Sequence, residues 1–219
     1  MSDRTINRRT ILKTAMALAA AGLAPRALLA QSGVGSAKAV PARGEFVIRG
    51  ANILSMDASV GDFARGDVHV RNGAIVAVAA EIAAPGATAI DARGMICMPG
   101  FIDTHWHLWT SVCRPLIRVD DPKLGYFPVT NRLGPYYTPE DSFRAVRLGL
   151  AEALSAGATT VHNWAHNIRT PDHAAAELRA MRDIGLRGRF SYGPAQGMPN
   201  DKPMDLDGLA KIKREWMPN

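Results

Sequence analysis

The sequence predicts an α/β protein in which a β segment over residues 45–97 leads into about three βα units, and so a parallel sheet, over residues 98–219. Three observations carry this. An Asn72-Gly73 pair separates two alternating apolar runs, the strongest short hairpin signal, because both turn positions accept positive φ. After Met98, short apolar runs alternate with amphipathic stretches, the pattern of successive βαβ units. The helical stretches open on Thr138-Pro139 and Thr170-Pro171, a capping residue followed by the residue best suited to the first helical position.

Residues 1–30 carry Asn7-Arg8-Arg9-Thr10-Ile11-Leu12-Lys13 ahead of an Ala-rich, moderately apolar run from Thr14 to Ala24, closed by Pro25 and Arg26. The run is too short and too weakly apolar for a stable membrane span. Its arginine pair is similar to the twin-arginine export consensus, with mild departures at Asn7 and Ile11. That resemblance implies a signal peptide, cleavage near Ala30, the twin-arginine export machinery as a partner, and a periplasmic or secreted product. An N-terminal helix that stays attached is the competing expectation. Residues 31–44 are small, polar and rich in Gly and Pro, a linker.

From Glu45 the pattern is β. Phe46–Arg49 starts a strand that resumes at Asn52–Leu54, Asp67–Arg71 and Ala74–Val78 flank the hairpin turn, and Ala87–Ala92 adds a short strand. His69 reads as a solvated strand residue.

Met98–His107 reads as a short buried strand entered through a Pro-Gly turn and ending in a His-x-His pair. Side chains alternate along a strand, so Phe101, Asp103, His105 and His107 share one face, with Ile102, Thr104 and Trp106 on the other. Two imidazoles on one strand face can reach a single cation, and neutral imidazole suits zinc or iron. One divalent metal, Zn first and Fe second, held by His105 and His107, is one reading of the pair; two surface or core histidines that happen to alternate is the other. Leu108–Tyr137 reads as a long functional loop at the C-terminal end of this strand. From it Trp109 and Arg114 are candidates for substrate contact.

Thr138 then caps a helix whose buried stripe is Phe143, Val146, Leu150 and Leu154, stopped at Gly157. Ala158–Trp164 is a buried strand. Thr170 caps a helix running to Gly185 with Leu178, Met181 and Ile184 inward; Arg189–Tyr192 is a third strand; Asp205 caps a last helix through Leu209, Ile212 and Trp216. His166 and Asn167 fall in a strand-to-helix loop, where His166 is a candidate pocket residue, while His173 in a first helical turn reads as solvated.

The formal charge of +6 is concentrated in the first thirty residues, where Arg4, Arg8, Arg9, Lys13 and Arg26 face Asp3. The remainder is nearly balanced, which argues against a nucleic-acid partner. Two cysteines, Cys97 and Cys113, make no disulfide framework, and Cys97, at the start of a buried strand, reads as an inert core thiol.

Pro99-Gly100-Phe101-Ile102-Asp103-Thr104-His105-Trp106-His107 resembles the first barrel strand of the metal-dependent amidohydrolase superfamily, in its cytosine-deaminase-like and triazine-hydrolase-like branch. Gly157-Ala158-Thr159-Thr160-Val161 and the residues after it resemble the second barrel strand of that branch. The resemblance implies a small β-sandwich over residues 45–97, a (β/α)8 TIM-like barrel of which residues 98–219 form the N-terminal part, and metal ligation by His105 and His107. It further implies hydrolysis of a carbon–nitrogen bond other than a peptide bond in a small-molecule, heterocyclic substrate. A full barrel takes roughly 200–250 residues, so the expectation is an N-terminal portion of such an enzyme. Its sheet would have open edges that favour a homo-oligomer, and no catalytic base can be assigned. The rival expectation is a remnant without activity.

Overall fold

The computed structural model describes residues 44–199, 201–202 and 204–217. The expected export signal, and all of the linker but its last residue, lie outside the described residues.

Five strands follow one another to Cys97: β1 Glu45–Ile53, β2 Phe63–Arg71, β3 Ala74–Ala79, β4 Thr88–Asp91 and β5 Ile96–Cys97. Among the described residues they form one mixed sheet in the order β3-β2-β1-β4, with β5 also on β1. β1 and β2 pair antiparallel, as do β2 and β3, whereas β4 and β5 run parallel to β1. The hairpin forms where Asn72-Gly73 places it, with φ of 53° and 79°, the two positive values that a two-residue turn needs to match strand twist. Ala51, Ile53, Val68 and Ala92 form its small core. His69 is buried rather than solvated. β2 lies between β1 and β3, and the His69 Nε2 sits 2.8 Å from Glu45 Oε1. That carboxylate also takes a hydrogen bond from Arg71, which with His69 lowers its pKa.

The second sheet has three parallel strands in the order β6-β7-β8: β6 Phe101–Trp106, β7 Ala158–Ala165 and β8 Arg187–Tyr192. Among the described residues four α-helices accompany it: α1 Tyr126–Leu133, α2 Pro139–Ser155, α3 Pro171–Ile184 and α4 Leu206–Trp216. β7 is central and buries Val161, Asn163 and Ala165 against the helices. β6 is not buried as expected. It is an edge strand, and Phe101 and Ile102 stay 58% and 67% exposed. Its entry is tight all the same, since a Cβ at Gly100 would collide with the Thr159 side chain, and Phe101 N–H donates to Gly157 O at 3.0 Å. Cys97 lies in β5, in the other sheet, half-buried and with its pKa raised by burial; both cysteines are free.

Leu108–Tyr137 is not an irregular loop. Leu108–Leu116, Pro122–Leu124 and Gly134–Tyr136 are 3-10 turns, and α1 lies among them. Helix α2 carries the full capping box: Thr138 Oγ1 accepts from Asp141 N–H, and Asp141 Oδ2 accepts from Thr138 N–H at 2.9 Å. Its buried face is made of Ser142, Ala145, Val146, Gly149, Leu150 and Ala153, and Leu154 is half exposed. Small residues decide this face because the 3-10 segment comes close, and a Cβ at Gly149 would collide with Ser111 Oγ. Helix α3 ends in left-handed Gly185, as expected, but Thr170 bonds the His173 ring rather than the helix backbone. His173 is buried accordingly, with Nε2 on Tyr137 O at 3.0 Å. Asp205 caps α4 by accepting from Gly208 N–H at 2.8 Å. Between β7 and α3 lies a fully buried Glu177, whose Oε2 accepts from Asn163 Nδ2 at 2.7 Å. Its other oxygen and Asn163 Oδ1 have no hydrogen-bond partner.

Candidate metal centre

The site lies at the C-terminal ends of β6 and β7. Asp103 Oδ1 accepts from His105 N–H at 3.0 Å and holds the backbone as the strand ends. β6 stops at Trp106, and His107 turns with φ −94° and ψ 76° into the following 3-10 segment. The turn brings His107 toward His105, so that their Nε2 atoms lie 3.3 Å apart, with ring planes nearly perpendicular.

The tautomer of His107 follows from its other nitrogen. Nδ1 lies 3.0 Å from the Trp164 carbonyl oxygen, which can only accept, so the proton sits on Nδ1 and Nε2 keeps its lone pair. Two nitrogens each ~2.0–2.1 Å from one tetrahedral zinc ion stand about 3.3–3.4 Å apart. The observed separation therefore fits two imidazole ligands on one ion, and the carbonyl behind His107 is the usual orienting partner for a metal-bound imidazole. Among the described residues no group of three or more His, Cys, Asp or Glu side chains is gathered to hold a metal.

Three aromatic rings stand against this pair: His166, Trp164 and, with its centroid 6.3 Å from that of His107, Tyr126. The His166 ring lies edge to face with His107, centroids 4.1 Å apart. Burial, with His107 adding to it, pushes the His166 pKa down to about 4. A neutral imidazole results, and its Nε2 accepts from Trp109 Nε1–H at 3.3 Å with the Tyr126 hydroxyl 3.1 Å away. Trp164 stacks on His105 with centroids 4.8 Å apart and planes 18° from parallel. Beyond it, His162 tilts against Trp164 and bonds Ser191 Oγ at 2.6 Å.

The structure thus brings together His105, His107, His166 and Trp109 of the five residues singled out by sequence. Trp109 is wholly buried behind His166, where it orients that ring. Arg114 is directed elsewhere: its guanidinium bonds Ser111 O and pairs with Glu152 of α2. Tyr126 and Trp164 were not singled out. Tyr126 opens a helix inside a stretch that reads as loop, and Trp164 alternates with buried Asn163 so that it faces the histidines. The period-two alternation of β7 was the available signal for Trp164.

A protein-family model of the amidohydrolase family matches residues 96–214. The chain is 29% identical over 176 residues to a 5′-deoxyadenosine deaminase of Methanosarcina mazei, covering 78% of this chain and 39% of that protein. It is 32% identical over 180 residues to a 5-methylthioadenosine/S-adenosylhomocysteine deaminase of Symbiobacterium thermophilum, covering 78% and 38%. The chain thus spans about two fifths of the length of these relatives. Among solved structures, atrazine chlorohydrolase TrzN from Arthrobacter aurescens TC1, complexed with zinc, is similar in fold. Its TM-score is 0.63 at 23% identity, over 80% of this chain and 44% of that one.

Proposed function

Because the chain belongs to the amidohydrolase family, we propose that it forms the metal-holding N-terminal portion of a hydrolase acting on carbon–nitrogen bonds other than peptide bonds. In this reading β6, β7 and β8 open a (β/α)8 barrel, and the substrate is a small nitrogen heterocycle carrying an amino or amide group. The observation that carries the reading is the 3.3 Å separation of the His105 and His107 Nε2 atoms at the end of β6. The deaminases among the relatives and the zinc in the structural neighbour support it.

His105 and His107 would hold one divalent cation, zinc before iron, since borderline-soft imidazole donors suit both. Bound there, the ion supplies Lewis acidity, activating water and polarising the carbon under attack. The chain's own residues shape the approach. The Trp164 carbonyl keeps the His107 proton on Nδ1. Tyr126, whose hydroxyl meets the His166 Nε2, keeps oxygen lone pairs beside the pair that suit accepting from an exocyclic amine, and the His166 ring walls the approach. Trp109 excludes water from behind them.

The test is zinc stoichiometry of the purified chain against a His105→Ala/His107→Ala variant. Loss of bound zinc in the variant is expected, and equal content in both overturns the assignment. A second reading, a remnant without turnover, is favoured by one observation: the described residues gather two such ligands, whereas catalytic zinc generally takes three from the protein. Ammonia release from aminated purines or triazines by the zinc-loaded chain separates the two.

We also propose twin-arginine export to the periplasm or beyond, on the strength of Arg8-Arg9 ahead of an Ala-rich run. Replacing both arginines by lysine is expected to abolish periplasmic material on cell fractionation, and unchanged recovery overturns it.

A further inference from the structure

We propose that Trp164 is a positioning residue that orders both candidate ligands from the neighbouring strand; this rests on the reading of His105 and His107 as a metal pair. Three contacts on one residue carry it. The indole lies flat on the His105 ring, with centroids 4.8 Å apart and planes 18° from parallel. Its backbone carbonyl accepts the His107 Nδ1 proton at 3.0 Å. Its own Nε1–H donates to Thr104 O at 3.0 Å, so the ring is tied to the backbone of the strand that carries the histidines.

The consequence is a division of labour. His107 is oriented by a main-chain atom, which survives any substitution at position 164. Among the described residues His105 has no such ring partner: its Nδ1 makes no hydrogen bond, and its Nε2 faces only His107. On an exposed edge strand, that imidazole is free to turn about its side-chain bonds unless a surface blocks it. The indole is that surface. Flat stacking fixes the plane of the ring and therefore the direction of the Nε2 lone pair. It also sets an electron-rich face against an imidazole that becomes cationic in character when a metal binds. Partners that orient metal ligands are characteristically worth about 10–100-fold in affinity.

The experiment measures zinc affinity of the full chain by competition with a chromophoric chelator, for wild type, Trp164→Phe and Trp164→Leu. Trp164→Leu keeps the carbonyl and loses the stack, and a loss of about tenfold or more is expected. Trp164→Phe keeps an aromatic face and is expected to recover most of that loss. A Leu variant with wild-type affinity overturns the proposal, as does a Phe variant no better than Leu. Ring-current shifts need no variant: in wild type, the His105 ring protons should resonate upfield of those of free histidine, and the absence of that shift overturns the stack even if Trp164→Leu does not fold. A wild-type chain that binds no zinc overturns the metal reading itself, a result distinct from zinc binding that is indifferent to position 164.

Discussion

Glu177 should make this fold less stable as the pH rises through neutrality, and Glu177→Gln should remove the effect. The carboxyl is wholly buried between β7 and α3, with one hydrogen bond from Asn163 and one oxygen without a partner. Burial pushes its pKa from 4.5 up to about 8, against a smaller opposing effect of the Asn163 bond. Because the folded pKa is raised, the folded state holds the proton that the unfolded state releases above about pH 4.5. The stabilisation is complete below that value and is lost as pH climbs through about 8. Each pH unit inside the window is worth about 1.4 kcal/mol, so moving from pH 6 to pH 9 should cost on the order of 2.7 kcal/mol, or roughly 5–10 °C in melting temperature for a domain of this size. Gln keeps an acceptor for Asn163 and cannot ionise. The other groups near this carboxyl, Asn163 on β7 and the Tyr137 side chain, are common to both proteins. The assay is a pair of thermal melts from pH 5 to 9 at one protein concentration, read as wild type minus variant. A difference that widens with pH in favour of Gln is expected. Parallel curves would refute the reasoning, because they would mean that Glu177 titrates alike in both states.

Gly149→Ala should destabilise by up to roughly 2 kcal/mol, since overpacking costs about 1–3 kcal/mol and the helix gains about 1 on losing a glycine. The added methyl meets Ser111 and comes within 2.8 Å of Leu108 Cδ2, and a urea midpoint at or above wild type would show that the 3-10 segment simply moves aside. Thr138→Ala removes one half of the capping box and should cost about 1 kcal/mol by the same measurement, with no change expected in zinc content. Ile102→Lys, on the exposed edge of β6, should reduce self-association in sedimentation velocity, because a charge on an edge strand opposes further pairing. An unchanged distribution would place any association elsewhere.

What could be read from the sequence was local. The Asn72-Gly73 turn, the Thr138 and Asp205 caps and the Gly185 stop are decided within four or five residues, and each formed where its residues indicate. The convergence of His105 and His107 was legible for the same reason, since a single residue, Trp106, separates them. Burial of His69 and His173 was not, because each depends on a partner from elsewhere in the chain, Glu45 in one case and Tyr137 in the other. His166 was a candidate by its place after a strand, yet what sets its tautomer comes from Trp109 and Tyr126, 57 and 40 residues away. Arg114 shows the converse: position in the loop suggested the pocket, and an available carboxylate at Glu152 took the side chain outward instead. Leu154 failed for a steric reason. The close approach at Gly149 rotates the buried face of α2 toward its small residues.

Gly100 acts on the histidines from the far end of their strand. Its missing side chain lets β6 seat directly against Thr159, and the first bond of the ladder, Phe101 N–H to Gly157 O, closes there. That contact is the origin of a ruler. A displacement of one residue along β7 would carry His105 to the opposite face of the sheet, away from the Trp164 ring and from His166. The pairing then slips between Phe101 and Ile102 and again between Asp103 and Trp106, so the entry at Gly100 starts the ladder and these irregularities complete the alignment of the nitrogen pair. A bulkier residue at position 100 would disturb the histidine pair from the start of its strand, with every residue that touches the pair left intact.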